Sequence, residues 1–228
     1  MEQGPIRWPS AFRLIHPCLG LAVLLLMAGV PALSGRIGDN RARLEERIEA
    51  DRLGFQVPDD TAEIWVRKSP LGRWLDLLGD GFTTAAYFKS ANGETATLTD
   101  FRQKRLPEGW QLVVLYLNNI SVLEYYQRTD GRRPRAITDA EQEGLLARHL
   151  EGARWMKVED PEAPVLEASA LDGDLVLSNG RLWARTGGRD FLIYRPELDI
   201  RFAEEALRRQ AELDAEQQQA APLSLRGF

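Results

Sequence analysis

Leu14–Leu33 reads LIHPCLGLAVLLLMAGVPAL, and no other stretch limits what this chain can build as tightly. Twenty residues at roughly 1.5 Å each reach about 30 Å, the thickness of a bilayer's hydrocarbon core. After Cys18 the run shows no polar face, whereas a helix buried against a globular core normally does. The unbroken part, Leu19–Leu33, also matches a long signal-peptide core, with small-residue cleavage sites after Ala32 and Ser34. The polar lead-in before Leu14 and the weak His16-Pro17 start favour an uncleaved anchor in the lipid bilayer through residues 14–33. A chain secreted after cleavage is the alternative. Cys18 precedes the run, so it does not stand where a lipoprotein cysteine would.

Arg36, Arg41, Arg43, Arg47 and Arg52 lie soon after the span, and a strict positive-inside count would keep the C-terminal side in the cytoplasm. Those arginines interleave with Asp39, Glu45, Glu46, Glu49 and Asp51, while Arg7 and Arg13 make a basic lead-in. The expectation is a single-pass protein with an exported domain, on the periplasmic or extracellular side. A cytoplasm-facing tethered domain is the competing topology.

The formal net charge is −5; residues 1–36 carry +2, so the remainder carries −7, which argues against nucleic acid as a partner. One cysteine allows neither a disulfide framework nor a cysteine metal site within the chain. The expected organisation is a signal-anchor or signal peptide at 1–34, a charged juxtamembrane helix and linker at 35–60, a globular domain at 61–195, and a C-terminal helix and tail at 196–228. Arg41–Glu45 and Arg47–Asp51 at i,i+4 support a helix over Asn40–Leu53, too poor in apolar residues for a wide core face and read as a solvated spacer.

Within the domain, Ser69-Pro70 reads as a helix start, with Leu71, Trp74, Leu75 and Leu78 on one stripe and Gly79 as the stop. Thr84–Lys89 and Glu94–Phe101 flank Asn92-Gly93, a hairpin signal. Leu112–Leu117 (LVVLYL) reads as a central strand, turned by Asn118-Asn119 into Ile120–Gln127. Thr138 and Glu141 form a capping box for a helix running toward Gly152. Further strands are expected near Val165–Ala170, Asp174–Leu177, Arg181–Arg185 and Phe191–Tyr194, joined at Asp172-Gly173, Asn179-Gly180 and Gly187-Gly188. A last helix spans about Asp199–Gln219. The fold class is α+β: the N-terminal transmembrane or signal helix, then a mainly antiparallel sheet with hairpins and two or three helices on one face. Gly93–Phe101 ahead of Leu112–Leu117 is similar to the opening of exported thioredoxin-like proteins. Asn118–Ser121 stands where those families carry CxxC, so the segment reads as an ordinary hairpin.

Candidate catalytic residues are few. His16 lies in the apolar run, and His149 falls in the last turn of a helix, where it suits the C-terminal dipole. The chain has no GxSxG elbow, no phosphate-binding loop, no EF-hand and no zinc spacing, so no catalytic, cofactor or metal residues are assigned. One cluster reads as a partner contact: Tyr125, Tyr126, Arg128, Arg132, Arg133 and Arg135, suited to a protein or an anionic envelope component. The expected function is a membrane-anchored, non-catalytic envelope protein whose domain binds or scaffolds another component. The alternative is an exported hydrolase using paired carboxylates on a glycan or cell-wall polymer.

Overall fold

An LVVLYL strand is apolar on both sides, so a sheet built around it must be covered twice. In the computed structural model, which describes residues 36–77, 81–150, 152–166 and 168–220, that is what happens. The 14–33 segment, both cleavage sites, Leu78 and Gly79, and the tail from 221 lie outside the described residues. No helix among the described residues is long and apolar enough to cross a membrane.

The strands are β1 (Gly54–Gln56), β2 (Phe82–Ser90), β3 (Gly109–Leu117), β4 (Ile120–Thr129), β5 (Trp155–Lys157), β6 (Leu175–Leu177), β7 (Trp183–Thr186) and β8 (Asp190–Tyr194). They form one sheet in the order β1-β2-β3-β4-β8-β7-β6-β5, antiparallel throughout. The helices are α1 (Arg41–Glu49), α2 (Asp59–Lys68), α3 (Leu98–Arg102), α4 (Asp139–Leu146) and α5 (Pro196–Ala220). On one face Val113 and Leu115 of β3 share a core with Ala62 and Val66 of α2, Leu71, Trp74, and Leu198 and Phe202 of α5. On the other, Leu112, Val114 and Tyr116 pack with Leu44 and Ile48 of α1 and Leu145 of α4. The α+β class holds, and helices cover both faces instead of the expected one.

The sequence signals that hold are local. Asn118 and Asn119 turn β3 into β4 at φ 50° and 64°, and Thr138 and Glu141 cap α4 reciprocally. Asn179-Gly180 joins β6 to β7, and Gly187-Gly188 joins β7 to β8.

The departures are tertiary. The charged helix read as a solvated spacer is α1, whose Leu44 and Ile48 are fully buried, and the linker after it supplies β1 on the edge beside β2. Two well-placed apolar residues are enough for a helix that lies flat on a sheet. Glu94–Phe101 is not a strand, because Thr97 and Asp100 form a capping box that starts α3 there; β2 pairs with β3 instead. Of Val165–Ala170, the described residues 165, 166 and 168–170 are irregular backbone, and β5 takes the edge position beside β6. The expected helix from Ser69 is two 3₁₀ turns, Pro70–Arg73 and Leu75–Leu77. Ser69 still caps the first, its Oγ accepting from Leu71 N at 3.2 Å. Gly72 lies so close beneath the end of α2 that a Cβ there would sit 2.1 Å from the Arg67 carbonyl oxygen. The turn is therefore tight where the stripe predicted a regular helix.

Candidate functional site

The six residues of the expected partner surface do not share one exposed face. Tyr125 and Tyr126 are neighbours on β4, so their side chains enter opposite cores, and both are buried. Arg128 is an internal brace: it meets Glu108 at 3.0 Å and Glu141 at 2.9 Å, donates to the Gly109 carbonyl, and lies over the Trp110 ring. Arg132, Arg133 and Arg135 are exposed on the loop. That loop is organised by Asp130, whose Oδ1 accepts from the backbone N–H of Arg132 and Arg133 while Oδ2 meets Arg135 at 3.0 Å. These bonds, with the nearby arginines, hold the Asp130 carboxyl below its ordinary range. The reason is physical: neighbouring residues of a strand point to opposite faces, and both faces are covered at Tyr125 and Tyr126.

The strongest departure from ordinary core chemistry lies on the same strand. Glu124 is fully buried in the middle of β4, between Val114 of β3 and Ile193 of β8. A register shift opposite Leu115 and Tyr116 leaves Val122 as an extra residue. That bulge turns Ser121 onto the face of Glu124, where its Oγ donates to Glu124 Oε1 at 3.3 Å. Tyr126 donates to Oε2 at 2.5 Å. His149, also buried, holds Nε2 3.9 Å from Glu124 Oε2, and neither ring nitrogen meets a hydrogen-bond partner among the described residues.

Burial pushes the Glu124 carboxyl up to about 7, against the two hydroxyl hydrogen bonds, with Asp39 adding to the rise and Arg47 opposing it. Burial pushes the His149 imidazole down to about 3, with Arg148 and Arg36 adding to the fall and Asp39 opposing it. His149 is therefore neutral at pH 7, and the contact is not an ion pair. The expected dipole role for His149 is replaced by this buried one. An acid and imidazole sealed from solvent meet no substrate, so this pair is a feature of the core.

The pair predicts a pH dependence with a definite sign. A carboxyl that titrates higher when folded gives stability present below about pH 4.5 and lost as pH rises through about 7. Glu124→Gln should match wild type near pH 4 and gain on it by pH 8, by about 3 kcal/mol from the size of the shift. Urea unfolding of both chains across this range measures the difference, and a gap independent of pH would contradict the buried-acid account.

Three segments converge at the end of the sheet where the chain enters. The backbone of Gly38 and Asp39 is tied to Ser121, and Arg41 N–H to the Asn119 carbonyl. Arg195 N–H bonds the Val122 carbonyl, which brings the β8–α5 junction alongside. The result is a cleft of about 510 Å³ lined by Arg36, Ile37, Gly38, Asp39, Arg181, Leu182, Arg195 and Glu197. Gly38 takes φ +95°, and Arg195 Nη2 lies beside it, 3.4 Å from where a Cβ would stand. Asp39 is engaged by Arg47 and, at 3.7 Å, by Arg43. Arg36 and Arg195 close no ion pair among the described residues. Arg181 has a partner of its own; with Asp39 neutralised, Arg36 and Arg195 outweigh Glu197 and the cleft is cationic. Among the described residues no group of three metal-ligating side chains converges anywhere.

These arginines come from positions 36, 181 and 195, and no spacing signal could have joined them. Glu124 was legible in principle as a lone acid inside an apolar strand. Comparison with protein families, with curated proteins and with solved structures finds no match.

Proposed function

We propose that this chain is a membrane-anchored, non-catalytic envelope protein, held by residues 14–33, whose exported α+β domain binds another component. The observation that carries the binding reading is the cationic cleft. Exposed Arg36 and Arg195, from separate segments, line it, and the Asp39 carboxylate beside them is occupied internally. Guanidinium groups brought together in this way suit bidentate contact with an oxyanion. A glycan hydrolase would need two available carboxylates set across its cleft. Here Asp39 is held by Arg47 and Arg43 beside Glu197, which favours binding over hydrolysis.

Carbonate extraction of membranes, with protease added to intact spheroplasts, tests the placement. The chain should stay with the membrane, and its domain should be digested from outside. Release into the soluble fraction would remove the anchor, and protection from protease would turn the domain to the cytoplasm.

A further inference from the structure

Beside the cationic cleft, and sharing Arg195 and Glu197 with it, lies a second groove of about 390 Å³. Its floor is apolar, formed by Phe82, Leu117, Val122 and Leu198, and Arg201 lies at its edge with its guanidinium 5.0 Å over the Phe82 ring. Phe82 and Leu117 are half-buried, so this apolar surface faces outward. A polar subsite of arginines joined to an apolar trough fits a ligand with an anionic head and a hydrocarbon tail.

We infer that cleft and groove together bind one anionic phospholipid, its phosphate on Arg36 and Arg195 and its acyl chain along Phe82, Leu117 and Val122. Charge complementarity selects the head, because a phosphate diester accepts paired N–H groups from guanidinium with matching geometry. Continuity of the two linings selects the tail. The sequence supplies the source: Arg36 is three residues after Leu33, within about 10 Å even if extended, so a bilayer-spanning 14–33 segment would keep Arg36 close to headgroup level. This deepens the binding reading above and rests on it.

The test uses the full chain in non-ionic detergent micelles, with phosphatidylglycerol and phosphatidylcholine probes carrying the same labelled acyl chain, read by fluorescence anisotropy. Phosphatidylglycerol should bind at least tenfold more tightly, and added salt should narrow the gap. Replacing Arg36 and Arg195 together by Gln should bring phosphatidylglycerol down to the phosphatidylcholine level. Replacing the exposed Arg102 and Lys104 by Gln removes as many positive charges elsewhere and should change nothing. Phe82→Ser should weaken the long-chain probe several-fold, and circular dichroism checks that every variant is folded.

Equal affinity for the two lipids, or an unaffected arginine variant, would overturn the proposal. Displacement of the probe by inorganic phosphate at the lipid's own affinity would overturn it too, because the cleft would then be a free-phosphate site. Micelle binding does not depend on where the chain sits in the cell. A failed fractionation and a failed lipid assay are therefore distinguishable.

Discussion

Trp74→Ala should lower the unfolding free energy by about 3–5 kcal/mol, as large-to-small changes at buried aromatic sites do. Trp74 follows the first 3₁₀ turn after α2, is 9% exposed, and stacks on Phe202 of α5 with ring centroids 5.3 Å apart and planes 6° from parallel. The Arg73 guanidinium lies 4.7 Å from the ring centroid. Truncation therefore removes the contact that joins the turn region to the C-terminal helix and leaves a cavity between them. The indole N–H finds no acceptor among the described residues, a cost the wild type already bears, so the lower half of that range is expected. Trp74→Phe keeps a ring on Phe202 and should lose less. Denaturant unfolding of the full chain in detergent measures both; a loss below about 1 kcal/mol for the alanine variant would mean that the turn collapses onto Phe202 without cost.

Asp199→Ala should cost about 3–4 kcal/mol for a different reason. Asp199 is fully buried in the first turn of α5. It accepts from Ala170 N at 2.6 Å, Leu171 N at 2.8 Å and the Ser169 hydroxyl at 2.7 Å. One carboxylate thus supplies the acceptors that irregular backbone at 169–171 would otherwise lack. Alanine leaves those donors bare, at about 1–3 kcal/mol for each that stays dry; Ser169 and Ala170 reach water in part, which keeps the sum near the stated value. Asp199→Asn retains one acceptor oxygen but turns an amide N–H₂ toward donors, so it should recover little. Hydrogen exchange at Ala170 and Leu171 should rise in both variants before global unfolding does. Unchanged protection there would detach Asp199 from the role assigned to it.

These two sites also mark how far the sequence could be read. Trp74 was legible as core because Ser69-Pro70 and the Leu71–Leu75 stripe are local patterns, and the residue stayed in the core although the helix became two 3₁₀ turns. Asp199 was not legible. Its partners lie about thirty residues back, in and just after a segment expected to be a strand. The same limit applies to the candidate site, whose three arginines no periodicity connects. It applies again to Tyr125, Tyr126 and Arg128, which composition marked as a contact surface and packing turned inward or braced.

By itself the sequence determined the features whose causes lie within a few residues: the Asn118-Asn119 reversal, the Thr138–Glu141 cap, the doubly apolar β3, and so an antiparallel α+β domain. Those are set by backbone dihedral preference and by side chains bonding their own turn. Only the tertiary structure decided that both faces of the sheet are covered, that the charged α1 belongs to the core, that a one-residue bulge aims Ser121 at a buried Glu124, and that Arg36, Arg181 and Arg195 share a cleft. Each depends on which distant surfaces meet. That choice is made by the total area removed from water across the whole domain, a quantity no short window of sequence contains.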